Sequence, residues 1–429
     1  MNIESIYKLY IQNPSVQTDT RKLKKGDLYF ALKGDRFDGN QYASQAIELG
    51  ASYAIIDNED LAENENMILV KDVLTCLQEL ALYHRKQFKI PFIAITGSNG
   101  KTTTKELCHA VLSSTYKTIA TKGNLNNHIG IPLTILSIPL DTEIAIIEMG
   151  ANHLHEIEQY CKYTLPTHGL INNCGKAHIE GFGSEEGVRQ AKGELYAYIK
   201  QHQGELFINS DLVYLQQMAQ GINRQFKYGS HTGDVIGKPI MTNDLLQVAI
   251  LTHGQETLIQ TQLVGQYNFP NVMAAISMGV YFQININIIQ KAIEQYSPDN
   301  SRSQKIIQGS NTIILDAYNA NPSSMEEAIK NFQQTRFENK IVMLGGMKEL
   351  GKNSVFEHQH IVDLLLKTNW NHVVLVGGDF EFTTHPFIFF KEIEDAKKWY
   401  QQQRFEHTAI LIKGSRAIGM EKILMNEKA

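Results

Sequence analysis

Residues 96–105 read TGSNGKTTTK, a spacing of glycines, lysine and hydroxyls that can cradle phosphate. Gly97 and Gly100 allow a tight turn, so the backbone N–H groups of Thr96, Gly97, Ser98, Asn99 and Gly100 can converge on anionic oxygen. Lys101 adds positive charge; Thr102 and Thr103 follow it, and the Thr102 hydroxyl can ligate magnesium. The usual pattern is GxxxxGK[ST]. Here Ile95 stands where the first glycine belongs, which leaves GxxGKT and argues against the common motor and switch proteins.

Phosphoryl transfer also needs oxygen donors for magnesium, which prefers near-octahedral oxygen coordination. Glu148, closing the run EIAIIE, is placed for that role, although a solvated glutamate would end a strand equally well. His178, in NNCGKAHIEGFGS, and Lys192, in VRQAKGELY, are further titratable groups; alone, either residue type is more often structural or solvated.

Such groups need strand ends to hold them. Six short apolar runs stop abruptly at glycine or small polar residues: FIAITGSNG, AIIEMGANH, GLINNCGKAH, IVMLGGMKE, VVLVGGD and AILIKGSR. Alternating with helical stretches, they read as buried parallel strands of an α/β architecture. Ligands of open parallel sheets bind beyond the carboxyl ends of strands, where these loops fall. For VVLVGGD a tight turn explains the glycines sufficiently. QGELFINS and LLQVAILTH alternate as sheet strands do, and FPNVMAAISMGVYF reads as a helix.

A chain of 429 residues exceeds one ordinary core, and the texture divides it into three expected domains, 1–88, 89–305 and 306–429. The polar NSRSQ at 300–304 suits a hinge or a ligand contact. With 43% hydrophobic and 20% charged residues the chain is globular, and its net charge of -5 offers no basic footprint for nucleic acid. No secretory signal or bilayer-length apolar run is seen, so a cytoplasmic protein without stable membrane insertion is expected. Cys76, Cys108, Cys161 and Cys174 lack CxxC or zinc spacing and read as reduced, buried thiols.

TGSNGKTTTKE resembles the short phosphate loop of the Mur ligase family, the ATP-dependent amide-forming enzymes of bacterial peptidoglycan precursor synthesis. GNLNNHIGIPLT (123–134), IEMGANH (147–153), AHIEGFGS (177–184), AKGE (191–194), DAYNANPSSM (316–325) and IKGSR (412–416) are similar to further segments of that family. TDTR and ALKGDRFDG near the N-terminus resemble its UDP-sugar domain. The YNANP form, and the lack of a DNPR signature, resemble the branch that adds D-alanyl-D-alanine to UDP-N-acetylmuramoyl-tripeptide. The alternatives are the sister ligase that adds the third amino acid, a folylpolyglutamate synthetase or, from another class, a nucleotide-binding switch protein. The last would leave Lys192, YNANP and the first domain unused.

The resemblance implies a three-domain α/β fold: a UDP-substrate domain, a central ATP-binding domain on a mostly parallel sheet, and a C-terminal Rossmann-like domain. It implies ATP and two magnesium ions, with Thr102, Glu148, His178 and Lys192 as metal residues and Lys101, Glu148, His178 and Lys192 as catalytic ones. An ammonium at Lys192 would repel the metal, and in the family the matching lysine is carbamylated. Asn268, Asn271, Arg302 and Asp316 are implied in nucleotide contacts. Thr20, Arg21, Lys33, Asn126, Asn127, Asn319, Asn321, Lys413 and Ser415 are implied in contacts with the UDP-linked substrate or the dipeptide. A monomer is expected. Tyr267, Gly346, His155 and Asn40 depart from residues frequent in relatives, which carry histidine, aspartate, glycine and histidine there.

Overall fold

A computed structural model describes residues 1–62, 64–242, 245–252, 255–298 and 301–425, and its strands form three main sheets and one two-stranded ribbon. His253 of LLQVAILTH and Asn300 of NSRSQ lie outside the described residues.

The first sheet is parallel, in the order Val16–Gln17, Leu28–Phe30, Tyr53–Ile56, Met67–Leu69. Side chains alternate across it: Leu28 and Phe30 pack with helices Ile3–Gln12 and Val73–Arg85, whereas Tyr29 packs with helix Ala43–Glu48 on the other face. Asp72 starts the helix Val73–Arg85 by accepting from Thr75 N at 2.7 Å.

Nine strands form the central sheet, in the order Gln255–Val264, Leu245–Thr252, Val235–Thr242, Gln225–Gly229, Glu205–Asn209, His168–Ile171, Phe92–Thr96, Ile144–Glu148, Thr118–Ala120. Only the first two pairings are antiparallel. All five residues of Phe92–Thr96 are buried, with Phe92 and Ala94 facing one core and Ile93 and Ile95 the other. Glu205–Asn209 is likewise buried throughout, because covered parallel strands need not alternate as QGELFINS suggested. FPNVMAAISMGVYF forms the helix Phe269–Tyr281.

The third sheet runs Gln304–Gln308, Asn311–Asp316, Thr408–Lys413, Asn339–Gly345, His372–Val376, Ile388–Phe390, antiparallel only at its first pairing. The boundary expected between residues 305 and 306 therefore cuts through Gln304–Gln308, whose pairing with Asn311–Asp316 assigns it to the third unit. All six glycine-terminated runs are parallel strands.

The first unit is fixed to the central one by a buried cation. Arg85 lies 3.6 Å over the Phe92 ring and donates to the carbonyls of Thr164 (2.7 Å), Phe88 (3.1 Å) and Leu165 (2.9 Å). His84 bonds the Ile138 carbonyl at 2.9 Å, and Tyr10 donates to that of Leu136. One hydrophobic core runs through both units.

Candidate active site

Strand register decides where the short phosphate loop sits. Ile95 is a fully buried strand residue paired with Glu148, and Met149 N donates to Ile95 O at 2.8 Å. Thr96 Oγ1 donates to Met149 O at 2.7 Å, so the loop and the acid leave adjacent strands together. The missing glycine is thus strand, and the turn begins two residues later at Gly97.

Gly97 has φ +147 and Gly100 φ +78, both in the region that favours glycine. A Cβ on Gly97 would lie 2.8 Å from Asn172 Cβ, and one on Gly100 only 2.4 Å from Asn271 Oδ1. The helix Lys101–Ser113 starts directly after Gly100 and aims its free N–H groups at the loop. Behind the loop, Ser98 N donates to Asn173 O (2.9 Å), Asn99 N to Asn173 Oδ1 (2.9 Å) and Ser98 Oγ to Gly175 O (2.8 Å). Lys101 Nζ reaches Gly97 O at 2.6 Å; burial lowers its pKa, Glu148 opposes that shift and Arg302 reinforces it.

Glu148 is 1% exposed. Its Oε1 accepts from Thr102 Oγ1 (3.2 Å) and Asn126 Nδ2 (2.7 Å), and its backbone N donates to Thr121 Oγ1 (3.0 Å). Oε2 is buried with no hydrogen-bond partner among the described residues, and Lys105 Nζ stands 4.0 Å away. A buried carboxylate oxygen left open beside a threonine hydroxyl fits a magnesium ion that takes its other ligands from phosphate and water. Among the described residues no cluster of three histidine, cysteine or acidic side chains is placed to hold a metal ion.

His178 lines the same cleft, but its Nδ1 pairs with the carboxylate of Glu349 from the third unit. The His178 imidazole set against its carboxylate is the main reason that Glu349 lies below the usual glutamate range. Lys192, on helix Glu185–Gln201, is 1% exposed; its Nζ donates to Ala151 O at 3.3 Å and lies 5.1 Å from the Phe182 ring centroid. Burial, reinforced by the Lys101 ammonium, pushes its pKa down to about 7. Burial also raises the thiols, Cys76 to about 12 and Cys174 to about 11, so neither is a nucleophile near neutrality.

A cleft of about 1050 Å³ joins the phosphate loop to the third unit. Ser98, Asn99, Gly100, Lys101, Thr102, Thr103, Asn126, Asn127, Glu148, His178, Asn268, Asn271, Arg302, Asp316, Asn319, Asn321 and Lys413 all line it. Several have their polar groups already engaged. Asn268 donates to Val264 O (2.9 Å), Asn271 donates to Asn268 Oδ1 (3.0 Å), and Asn271 Oδ1 accepts from Thr104 Oγ1 (3.0 Å). Asp316 takes Lys413 Nζ (2.5 Å) and Ser303 N (3.1 Å), while Arg302 stacks 3.6 Å over Tyr318. Asn127 Oδ1 caps the helix Gly130–Leu136, accepting from Gly130 N at 2.8 Å.

Four expected contact residues lie away from the cleft. Ser415 is 1% exposed and its hydroxyl donates to Gly346 O at 2.6 Å, which makes it a brace between two strand-end loops rather than an open contact with the dipeptide. Thr20, Arg21 and Lys33 belong to the first unit; Arg21 pairs with Asp19 at 2.8 Å and Lys33 with Asp57 at 2.8 Å. The structure adds Asn172, which donates to Thr104 Oγ1 (2.7 Å) and Asn271 Oδ1 (3.1 Å), and Asn173, which braces the loop. Their signal was the NN pair at the end of GLI. Lys105 had a signal too, standing four residues after Lys101 on one helix face.

Profiles of known families match three segments in turn: the Mur ligase family catalytic domain at residues 14–85, the Mur ligase middle domain at 95–279, and the Mur ligase glutamate ligase domain at 301–416. The UDP-N-acetylmuramoyl-tripeptide–D-alanyl-D-alanine ligase of Bacillus subtilis is 34% identical, covering 99% of this chain and 96% of its own length. That of Escherichia coli is 31% identical, covering 96% and 92%. A crystal structure of MurF from Acinetobacter baumannii superposes with a TM-score of 0.85 at 30% identity, over 96% of this chain and 92% of that one. MurF ligase from Thermotoga maritima in complex with ADP shares the fold, with a TM-score of 0.86 at 24% identity over 96% of each chain. Three profiles in order along one chain, relatives matched end to end, and a phosphate loop beside its strand-end acid lead to one assignment: this chain belongs to the Mur ligase family.

Proposed function

We propose that this chain is an ATP-dependent ligase that joins D-alanyl-D-alanine to UDP-N-acetylmuramoyl-tripeptide. The observation that carries the reading is one cleft in which the phosphate loop, Glu148 and the YNANP segment of the third unit meet. Such a cleft suits activation of a carboxylate at the phosphates and its capture by an amine held on a different unit. The names of the Bacillus subtilis and Escherichia coli relatives support the choice of acceptor.

A peptide carboxylate oxygen attacks the γ-phosphorus of ATP, the bond to the bridging oxygen breaks, and ADP leaves. The dipeptide amine then attacks the acyl carbon, phosphate departs with the C–O electron pair, and the amine proton passes to solvent. Lys101 neutralises the β- and γ-phosphates, Thr102 and Glu148 would hold magnesium, and His178 and Lys192 would serve a second ion. When bound, magnesium supplies positive charge against the phosphates. Lys192 serves as its carbamate, and the burial that lowers its pKa favours the free amine that carbon dioxide requires. Asn268, Asn271, Arg302 and Asp316 surround the nucleotide. Thr20, Arg21 and Lys33 serve the UDP-sugar in the first unit, Asn126 and Asn127 the peptide, and Asn319, Asn321 and Lys413 the dipeptide, with Ser415 bracing their loop. The enzyme works as a monomer in the cytoplasm.

The test is phosphate release from ATP with the UDP-linked tripeptide, with D-alanyl-D-alanine, and with both. Release together with a new amide only when both are present is the expected result. Turnover with single amino acids would assign the chain to the sister activity instead. Lys101→Ala should abolish turnover while circular dichroism stays that of the wild type.

A further inference from the structure

Five carboxylates line the cleft, those of Glu148, Glu156, Asp316, Glu327 and Glu349. Four of them are engaged. Glu148 accepts from Thr102 and Asn126, Glu156 from the backbone N–H groups of Asn152 (2.6 Å) and His153 (3.0 Å), Asp316 takes Lys413 and Ser303, and Glu349 is set against His178. Glu327 has neither a hydrogen bond nor an ion pair among the described residues.

The helix Pro322–Gln333 puts it there. Ser323, Glu327 and Asn331 recur every four residues and share one face of that helix. Ser323 Oγ accepts from Lys176 N at 3.1 Å and Asn331 Oδ1 from Gln266 N at 3.1 Å, so the face rests on the central unit on either side of Glu327. Burial first, and the Glu327 charge with it, raises the phenols of Tyr214 and Tyr267, which flank the gap. Glu327 is exposed to the cleft, yet the walls around it enclose it enough that desolvation, ahead of the opposing Lys413 charge, lifts its carboxyl above the usual range. It is an acceptor short of donors.

What could donate follows from where the charges lie. Lys101 feels Glu148 and Arg302, whereas Glu327 feels Lys413, Glu326, Asp316 and Lys330, so the two residues stand at different ends of the cleft. An open carboxylate repels phosphate, which keeps the triphosphate at the Lys101 end. The acceptor amine must meet the acyl carbon at that same end. Beside Glu327 this leaves the uncharged part of the nucleotide, and the two vicinal hydroxyls of ribose are donors that a carboxylate can take with its two oxygens.

We infer that Glu327 is a nucleotide-binding residue whose carboxylate accepts hydrogen bonds from the ribose hydroxyls of ATP. The inference rests on the ligase reading for the presence of ATP in the cleft and adds to it a residue that selects ribose over deoxyribose.

The test is equilibrium binding to the full chain, with magnesium, of ATP, 2′-deoxy-ATP, 3′-deoxy-ATP and inosine triphosphate, in the wild type, Glu327→Gln and Glu327→Ala. The wild type should bind ATP about tenfold more tightly than either deoxy analogue, as a charge-assisted hydrogen bond allows. In Glu327→Ala that preference should fall below about twofold through loss of ATP affinity, with Glu327→Gln between the two. A deoxy preference equal in wild type and Glu327→Ala overturns the inference. So does a variant that loses only its preference for ATP over inosine triphosphate, which would move Glu327 to the base, or one that binds ATP normally but has a raised KM for the dipeptide, which would move it to the acceptor amine. Wild-type protein that binds no ATP would sink the ligase reading together with the inference, whereas tight ATP binding with an unchanged deoxy preference would sink the inference alone.

Discussion

Lys192 shows how burial can select a chemical form. On the helix Glu185–Gln201 it is shut away from water beside Phe182, and burial with repulsion from Lys101 brings its pKa from 10.5 to about 7. The folded value lies below the unfolded one, so between about pH 7 and 10.5 the unfolded chain binds the extra proton. The stability of unmodified protein should therefore rise with pH across that window. The free amine, which alone reacts with carbon dioxide, prevails on the alkaline side. Protein stripped of carbon dioxide should accordingly recover activity on adding bicarbonate, and faster near about pH 8 than near about pH 6. Recovery that needs no bicarbonate, or that is fastest in acid, would refute carbamylation at this site.

At the scale of elements, the pairing of Ile95 with Glu148 sets the acid beside the loop, and the Thr104–Asn172–Asn271 network sets the loop itself. Gly100 abuts that network, and its φ of +78 compounds the crowding. Gly100→Ala should cost about 2 kcal/mol in urea denaturation, because strain and a fixed neighbour act together, and should weaken ATP binding. Gly123 makes the comparison: its φ is +54, but an added Cβ meets nothing within 4 Å. Gly123→Ala should cost only about 1 kcal/mol, from backbone strain alone. Equal costs for the two would remove the network from the explanation.

Across the whole molecule the three units differ in independence. The first shares its core with the central unit, and Arg85, His84 and Tyr10 satisfy central-unit carbonyls. The third has cores on both faces of its own sheet, one of them touched by Val264. Residues 301–429 expressed alone should therefore melt cooperatively by circular dichroism. Residues 1–88 alone should show no cooperative melt, because the outer face of helix Val73–Arg85 would meet water. A sharp transition for 1–88 would show that the shared core is dispensable.

Local chemistry made much of this protein legible in its amino-acid order. Glycines at the ends of apolar runs marked six parallel strands, since a buried parallel strand is a short apolar run that must end in a turn. GxxGKT with a strand-end glutamate marked the phosphate site, because backbone N–H groups, a cation and a metal-binding acid need those residue types in that order. Tertiary structure alone decided what those residues touch. Ser415 spends its hydroxyl on Gly346, Asn172 bridges Thr104 to Asn271, and Glu349 meets His178 across 171 positions of chain. Such contacts join separate loops whose approach is set by sheet register and by the packing of one unit on another, neither of which any single stretch of sequence encodes.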